Sequence, residues 1–353
     1  MNRQGRGGTS FVLSRTRSRP MHRNQFSFQD ILDAYARISS HVVRTPLLNS
    51  PMLDEVAGCS LYVKAESLQR TGSFKYRGAL NKILSLGDEE QPRGIVTYSA
   101  GNHGHAVSAA AKLVGRAATI VLPSTAAPNK VANCKWWGAE TIFYDPIAER
   151  REDVANDLID KRGLAFIPPF DDGFVMAGQG TAGLEACEQL KECGVVPDVV
   201  LVNTSGGGLA SGFIEAVKHF YPSAECYVVE QAGYEKMAAA LATGNPQRIA
   251  VAEKTILDGI NGPETGAKPL SVLLRHGVKA LGVTQEEALH AMAIAFACLK
   301  LVMEPAGAAS LGAVLARKTP FAGCNVLVVA SGGNVDADVF GKALVYSGGR
   351  DAA

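Results

Sequence analysis

The sequence predicts an α/β protein whose parallel sheets are covered by helices. Short runs of β-branched and other apolar residues recur along the chain, and each is followed by a turn and a helical stretch of roughly 10 to 15 residues. Several runs are apolar throughout, as expected for strands that are covered on both faces. Strands that alternate with helices form βαβ units, which pair in parallel.

Seven runs have the length and composition of strands. In chain order they are Leu61–Ala65, Gly94–Ser99, Ala118–Leu122, Thr141–Tyr144, Val199–Asn203, Cys226–Val229 and Asn325–Ala330. Nine segments carry apolar residues at helical spacing, namely Phe28–Ser40, Ser73–Ser85, His105–Leu113, Asn129–Trp137, Arg151–Lys161, Ala177–Glu192, Leu209–His219, Thr284–Lys300 and Ala306–Arg317. No unit of about 20 to 50 residues repeats, which excludes a solenoid. No long linker divides the chain, so we expect lobes that share one body.

Composition excludes several classes of partner. The 353 residues include 35 Lys and Arg against 34 Asp and Glu, so no overall field would gather nucleic acid or an anionic membrane surface. The longest strongly apolar helical stretch, Ala291–Leu299, is far shorter than the roughly 20 residues that span a bilayer. The sequence therefore predicts neither a nucleic-acid nor a membrane partner, and any anion would have to be bound by local groups.

The cysteines and the N-terminal segment bear on the cellular location of the protein and on which residues are ordered. Seven scattered cysteines without a CxxC pair argue against a disulfide framework and predict a cytoplasmic protein in which they are small buried residues. The first 29 residues contain no acid, and six arginines fall between Arg3 and Arg23. Such a segment cannot join a packed core. Residues 1–24 are therefore predicted to form a disordered tail.

Three glycine-rich segments each stand where a predicted strand passes into a predicted helix: Thr71–Lys75, Ser99–His103 and Ser205–Leu209. A turn into a helix presents unpaired backbone N–H groups at the positive end of the helix dipole, where anions bind. The third segment follows a buried strand, so Ser205, Gly206, Gly207, Gly208 and Leu209 are the best candidates for a phosphate cradle. A plain packing turn and a dinucleotide site with Glu230 on the ribose remain as alternatives.

Lys75 and His103 carry the chemistry of the first two segments. A lysine at a helix start is disfavoured by the dipole, and partial burial there would make its amine a nucleophile suited to a Schiff base. The alternative is a solvated lysine at a helix end. Ser99–His103 offers N–H groups, the Asn102 amide and an imidazole that together could hold a carboxylate, although His103 could also be satisfied by its neighbours. Ser331 ends the last predicted strand, where open parallel sheets bind ligands, or is a turn serine.

Five segments together resemble the fold type II pyridoxal-phosphate enzymes, in the branch of serine/threonine dehydratases and serine racemase. They are Ser73–Ala79, Ser99–Gly104, Ser205–Leu209, Glu304–Ala308 and Ser331–Asn334, and they stand in the order of the family's motifs. The resemblance implies a two-lobed fold like that of the tryptophan synthase β chain, with the active site between the lobes. Residues 25–87 and 175–350 would form the large lobe and residues 88–174 the small one, and the enzyme would be a homodimer.

The resemblance also implies roles for single residues. Lys75 would bind pyridoxal 5'-phosphate as a Schiff base, Phe74 would pack on its ring, Asn102 would bond its phenolic oxygen, and Ser331 would face its pyridine nitrogen. Glu304 would also contact the cofactor, and Ser205, Gly206, Gly207, Gly208 and Leu209 would hold its phosphate. The substrate carboxylate would be bound by Ser99, Ala100, Gly101, Asn102 and His103.

The neutral Ser331 hydroxyl selects a reaction within the family. A hydroxyl cannot keep the pyridine nitrogen protonated as a carboxylate would, so the ring is a weak electron sink. Loss of a β-hydroxyl soon after Cα deprotonation is then favoured, and the sequence predicts a dehydratase that releases a keto acid and ammonia from a serine, threonine or 3-hydroxyaspartate type of substrate. Ala100 stands where the racemases of this branch carry a serine, which disfavours racemisation. A β-replacement synthase and a non-catalytic binding protein are further alternatives.

Two positions bear on a metal and on the substrate. Serine racemases bind a divalent cation near the strand that corresponds to Cys226–Val229; Glu230 matches their first acid, whereas Lys236 replaces the second, which argues against a complete metal site. Arg151 matches an arginine that the racemase and the hydroxyaspartate-acting relatives place near the distal end of the substrate. A solvated helix arginine is the alternative there.

Overall fold

The computed structural model describes residues 25–87, 93–250 and 255–346. The predicted tail at residues 1–24 lies outside these residues, as do the last residues of the predicted large lobe. None of the helices in these residues combines the length and the hydrophobicity of a membrane-spanning segment. The lobe boundaries placed at residues 87 and 174 stay a prediction.

Ten strands form two sheets within the described residues. They are β1 Leu47–Leu48, β2 Ser60–Lys64, β3 Ile95–Tyr98, β4 Ala118–Pro123, β5 Glu140–Tyr144, β6 Ala165–Phe166, β7 Val199–Asn203, β8 Glu225–Gln231, β9 Lys279–Val283 and β10 Asn325–Val329. One sheet has the order β1-β2-β10-β7-β8-β9 and the other β5-β4-β3-β6. Every pair is parallel except β1 with β2. The predicted α/β class with parallel sheets is confirmed.

Thirteen α-helices cover the sheets in the described part of the chain. They are α1 Phe28–Ile38, α2 Pro51–Ala57, α3 Lys75–Ser85, α4 Asn102–Leu113, α5 Pro128–Trp136, α6 Arg151–Arg162, α7 Gly173–Glu192, α8 Gly208–Phe220, α9 Lys236–Thr243, α10 Ala267–Arg275, α11 Gln285–Leu299, α12 Pro305–Leu315 and α13 Ala337–Val345. All nine predicted helices occur. The sequence analysis missed the other four and the short strands β1, β6 and β9.

The six-stranded sheet is buried on both faces, as its apolar strands predicted. In β10, Val326 and Val328 pack into one hydrophobic cluster, whereas Leu327 and Val329 pack into the cluster on the opposite face. All four side chains are fully buried. Each such side chain contributes roughly 1.5 to 3 kcal/mol of hydrophobic stabilisation, so the central strands are firmly held and their carboxyl ends are fixed in space.

The cysteines are only partly as predicted. All seven are free thiols, and Cys59, Cys134, Cys187 and Cys226 are buried. Cys193 is exposed, and Cys298 and Cys324 are half-buried, so the prediction of uniform burial was wrong for these three. Cys298 and Cys324 pack against the edge of a hydrophobic cluster, whereas Cys193 follows the last residue of α7 and faces solvent.

Candidate functional site

A cavity of about 490 Å³ lies between the two sheets. It is lined by every candidate cofactor and substrate residue named from the sequence: Phe74, Lys75, Ser99, Ala100, Gly101, Asn102, His103, Arg151, Ser205, Gly206, Gly207, Gly208, Leu209, Glu304 and Ser331. Its volume is in the range of small-molecule and cofactor sites. The fold therefore gathers segments more than 200 residues apart in sequence around one space.

Lys75 is the first residue of α3 and reaches the cavity wall. The turn before it contains Thr71 and Gly72 at positive φ values of 64° and 72°, so the chain reverses sharply there. Phe74 N donates to Ser331 O at 3.1 Å, which ties this turn to the end of β10. Lys75 Nζ donates to Pro169 O at 2.7 Å. Burial lowers the pKa of the Lys75 amine to about 8, so an appreciable neutral fraction exists near physiological pH.

The glycine turn after β7 forms the opposite part of the cavity. Gly207 has φ 96° and caps α8, a conformation that favours glycine. A Cβ on Gly206 would lie 2.4 Å from the Phe170 ring, so only glycine fits there. The first-turn N–H groups of α8 have no acceptor within the helix and lie at its positive end. Thr204 Oγ1, also at the cavity, is buried without a hydrogen-bond partner in the described residues. The turn is therefore suited to a phosphate.

Asn102 joins three of the five motifs. Its Nδ2 donates to Glu304 Oε1 at 2.6 Å, and its Oδ1 accepts from Asn334 Nδ2 at 2.8 Å. Burial, with the negative charge of Asp258, raises the pKa of Glu304 to about 8. Glu304 is therefore mostly protonated at neutral pH, and the chain of side chains holds the Asn102 amide in one orientation.

His103 is a neutral imidazole in the wall of the cavity. Burial, with the positive charge of Lys75, lowers its pKa to about 3. Its Nε2 lies 3.0 Å from Ile167 O, and because a carbonyl only accepts, Nε2 carries the proton. Nδ1 is then a buried acceptor that has no partner in the described residues. His103 brings no positive charge to a bound carboxylate, so attraction there comes from the N–H groups at the start of α4.

Ser331 is oriented by Asn203, a residue that the sequence analysis missed. Asn203 Nδ2 donates to Ser331 Oγ at 3.0 Å and to Gly307 O at 2.8 Å. Asn203 Oδ1 accepts from Ser310 N, which fixes the amide. Because Ser331 Oγ accepts this bond, its own proton is available to a group in the cavity. Asn203 is a polar residue at the end of an otherwise apolar, buried strand. This pattern was the signal in the sequence that could have identified it.

Arg151 begins α6 and lines the cavity from the side of the four-stranded sheet. Its guanidinium lies 4.7 Å from the centroid of the Tyr98 ring, and its Nε donates to Glu152 Oε1 at 2.9 Å. The side chain is 35% exposed. The guanidinium is thus held against one aromatic face at the rim of the cavity rather than extended into solvent.

Two side chains of α5 pair with acidic residues from elsewhere in the chain at the outer part of the cavity. Lys130 Nζ lies 2.7 Å from Asp258 Oδ2, and Asn129 Nδ2 donates to Asp336 Oδ1 at 2.6 Å. All four line the cavity. Nothing local in the sequence marked them, since each is an ordinary polar residue on a helix or loop.

Glu230, the candidate metal ligand, lies outside the cavity and is fully buried. Its two carboxylate oxygens accept from Met237 N and Ala238 N, both at 2.9 Å. Lys236 Nζ is 3.7 Å from Glu230 Oε1. No group of three His, Cys, Asp or Glu side chains that could hold a metal occurs in the described residues. A positively charged neighbour and backbone donors do not fit a divalent-cation site.

Comparison with known proteins agrees with this geometry. Residues 38–332, more than half of the chain, match the family model described as pyridoxal-phosphate dependent enzyme. The L-threonine ammonia-lyase of Thermotoga maritima is 37% identical over 91% of this chain and 80% of the relative. The L-threo-3-hydroxyaspartate ammonia-lyase of Saccharomyces cerevisiae is 34% identical over 92% of this chain and 98% of the relative. The structure of maize serine racemase superimposes with a TM-score of 0.82 at 35% identity, over 90% of this chain and 97% of that one.

The fold and the cavity define a fold type II pyridoxal-phosphate enzyme. The chain belongs to the pyridoxal-phosphate-dependent enzyme family, as the predicted resemblance indicated. The residues present fit the cofactor: an amine of lowered pKa, a glycine turn at a helix start and the unpartnered Thr204 hydroxyl all face one cavity. The roles of the single residues stay predictions.

Proposed function

We propose that this enzyme is a dehydratase that removes water from a β-hydroxy amino acid of the serine, threonine or 3-hydroxyaspartate type and releases a 2-keto acid and ammonia. The ammonia-lyase relatives from Thermotoga maritima and Saccharomyces cerevisiae support this class of reaction. The observation that carries the proposal is the single cavity in which the Lys75 amine, the glycine turn before α8 and the Ser331 hydroxyl converge.

In this proposal the cofactor is held by residues that already line the cavity. Its phosphate would lie at Ser205–Leu209, Phe74 would cover the ring, and Asn102, with Glu304 behind it, would bond the phenolic oxygen. When bound, pyridoxal phosphate supplies a Schiff base to the substrate amine and withdraws electrons from its Cα. The pyridine nitrogen would meet Ser331 Oγ, which Asn203 orients to donate.

Lys75 is the proposed acid and base. A pKa near 8 suits an amine that takes the Cα proton and then gives a proton to the departing β-hydroxyl, which leaves as water, because the ideal catalytic pKa lies near the working pH. Pro169 O holds Nζ at 2.7 Å and so fixes the direction from which it approaches. The Ser99–His103 turn would bind the substrate carboxylate through backbone N–H groups, with Ala100 and Gly101 allowing close approach.

Two features favour elimination. Ser331 is neutral, so the ring is a weak electron sink and a long-lived carbanion is disfavoured. Racemisation needs a proton donor on the face opposite Lys75, and Ala100 carries no ionisable group. The similarity to serine racemases keeps racemisation as the second candidate, and the experiment below separates the two.

The position of Arg151 suggests which group the substrate carries at its distal end. A guanidinium at the rim of the cavity would bind a β-carboxylate in a bidentate manner, as Arg does with planar anions. Within the proposed class this favours 3-hydroxyaspartate over threonine. We also propose that the enzyme is a cytoplasmic homodimer, which light scattering of the purified protein and cell fractionation would test.

The test is a substrate panel with the purified holoenzyme. Serine, threonine, 3-hydroxyaspartate and phenylserine, in both configurations, are scored for keto acid, ammonia and the opposite enantiomer. We expect keto acid and ammonia in equal amounts, with 3-hydroxyaspartate as the best substrate. Lys75→Ala should abolish both the Schiff-base absorbance and ammonia release. Enantiomer formation without ammonia would instead identify a racemase, and turnover by Lys75→Ala would remove the assigned role of the amine.

A further inference from the structure

A buried ammonium lies next to the cavity but outside it. Lys236, the first residue of α9, is 1% exposed. Its Nζ donates to Ile260 O at 3.3 Å and lies 3.7 Å from Glu230 Oε1. A buried charge is costly unless it is paired and hydrogen-bonded. Its position is therefore set by these two partners, one at the end of β8 and one in the loop that follows α9.

The partners of Lys236 connect to the walls of the cavity. Ile260 belongs to the short 3-10 helix Asp258–Ile260, which lines the cavity. Two residues further on, Gly262 N donates to Ser205 Oγ at 3.1 Å, so this loop holds the first residue of the glycine turn. The Lys236 ammonium is therefore connected to the glycine turn through one loop, which contains both Ile260 and Gly262.

The next residue of α9 reaches the same turn from another side. Met237 N donates to Glu230, and a Cβ added to Gly207 would lie 2.8 Å from the Met237 Cε methyl group. Glu230 therefore holds the start of α9 through Met237 and Ala238, and α9 packs on the glycine turn. One carboxylate and one ammonium together fix two separate supports of the turn.

We propose that Lys236 is a positioning residue whose tethered ammonium takes the place of a bound cation and holds the Asp258–Gly262 loop and the glycine turn in register. The enzyme would then need no divalent cation to keep its cofactor and substrate sites formed. Because the ammonium is covalently attached, its occupancy does not depend on the concentration of free metal.

The chemistry of the surrounding atoms favours an ammonium over a metal. Lysine presents a compact charge with three donors. Here the Ile260 carbonyl oxygen accepts a hydrogen bond, and the Glu230 carboxylate at 3.7 Å supplies the counter-charge. Calcium takes six to eight oxygen ligands at roughly 2.3 to 2.6 Å, and magnesium demands near-octahedral oxygen geometry. At Glu230 both oxygens already accept backbone N–H bonds, so the site cannot supply such a shell.

Two variants separate positioning from plain stabilisation. Lys236→Met leaves Glu230 buried without its counter-charge, and we expect the Tm of the holoenzyme to fall by about 5 to 10 °C. The double variant Glu230→Gln with Lys236→Met removes both charges, but the Gln amide accepts from only one of Met237 N and Ala238 N, so we expect a Tm between those of Lys236→Met and wild type. Glu230→Gln alone is the control for this lost bond. Lys268→Met, an exposed lysine on the neighbouring α10, is the matched control and should change nothing.

The readouts are cofactor affinity and substrate kinetics. The double variant lacks the bond to Ile260 O that Glu230→Gln alone keeps, so relative to Glu230→Gln the apparent Kd for pyridoxal phosphate, followed by visible absorbance, should rise about tenfold, a change worth about 1.4 kcal/mol. KM should rise with it while kcat stays within about twofold. Wild-type holoenzyme treated with EDTA, then given Mg²⁺ or Ca²⁺, should keep its Tm and its Kd.

Two results would overturn the proposal. One is loss of Tm or cofactor affinity in the chelated wild type that Mg²⁺ or Ca²⁺ restores. The other is a folded double variant with wild-type Kd and KM, which would reduce Lys236 to a structural charge. Only the kinetic readout rests on the proposed dehydratase function. If no substrate of the panel reacts, the Tm and cofactor titrations still decide the role of Lys236.

Discussion

Arg77 lies two residues after Lys75, and its replacement should destabilise the enzyme strongly. Its guanidinium is fully buried and makes two bonds to each of two carboxylates, Glu66 at 2.8 Å and Glu185 at 2.7 Å. Burial alone would lower the pKa of Arg77, but these carboxylates raise it above its ordinary value. Lys64 Nζ, 2.8 Å from Glu185, completes a network of two positive and two negative charges.

The cost of Arg77→Met follows from this balance. The variant leaves two buried carboxylates with one ammonium. Each pair at about 4 Å between charge centres is worth about 4 kcal/mol at an effective dielectric constant of about 20. Part of this is offset by the burial penalty that Arg77 itself no longer imposes. Truncation of one partner in a buried network costs about 3 to 5 kcal/mol, a large part of the stability of an ordinary domain.

Thermal unfolding of the holoenzyme measures the effect, and we expect Tm to fall by roughly 6 °C or more. Arg44→Met is the matched control, because Arg44 pairs with Glu192 of the same helix α7 at 2.6 Å but is 42% exposed. Exposed pairs contribute about 0 to 1 kcal/mol. Arg77→Lys should lose less thermal stability than Arg77→Met, because lysine keeps the positive charge although it lacks the bidentate geometry of the guanidinium. A variant Arg77→Met within 1 °C of wild type, or an equal loss in Arg44→Met, would refute the reasoning.

Two further predictions concern the cavity. The pKa of Glu304 rises from its ordinary 4.5 to about 8 in the folded enzyme, so the folded state holds more protons than the unfolded state between these values and stability falls as pH rises through this window. This fall in stability should be absent in Glu304→Gln. If Tm changes equally from pH 6 to pH 9 in the wild type and in Glu304→Gln, the prediction is contradicted. Gly206→Ala places a Cβ against the Phe170 ring and should weaken pyridoxal-phosphate binding by about 1 to 3 kcal/mol. Phe170→Leu in the same chain should restore part of the loss, and unchanged affinity of Gly206→Ala would show that the ring moves freely.

Local patterns predicted most of the fold because the central strands carry strong signals. Val199–Asn203 was predicted with the bounds that the structure shows. Helix starts were less accurate. The prediction began α7 at Ala177, whereas it begins at Gly173, because Asp172 Oδ1 accepts from Phe174 N and Val175 N and caps the first turn. Because glycine has a low helix propensity, the glycines in this helix made its first turn look non-helical in the sequence.

The missed elements and contacts lack such signals. Strand β9, Lys279–Val283, is half-exposed at the edge of its sheet and contains Gly282, so its apolar run was too weak to identify. The charge network was invisible for another reason. Lys64 and Glu185 are 121 residues apart, and each looks like a surface residue in its own segment. Only the fold reveals that they are partners.

The first of the three glycine-rich segments also departed from its predicted setting. Thr71–Lys75 was expected to follow a strand directly, but two short 3-10 turns, Glu66–Leu68 and Arg70–Gly72, separate β2 from α3. The motif residues still reach the cavity, because Ser73 bridges to Gly332. The order of motifs in the sequence was therefore sufficient to group the site, while the path of the chain between them was not.

The two side-chain pairs at the cavity mouth bear on how a reactant gets in and out. Asn129, Asp258 and Asp336 are exposed and Lys130 is half-buried, and partly solvated contacts such as Lys130–Asp258 and Asn129–Asp336 are each worth about 1 kcal/mol or less. Thermal motion alone separates them often, so passage of a small amino acid requires no triggering ligand. Because the Lys130–Asp258 pair is ionic, rising salt weakens it and increases the fraction of time for which the cavity entrance is open.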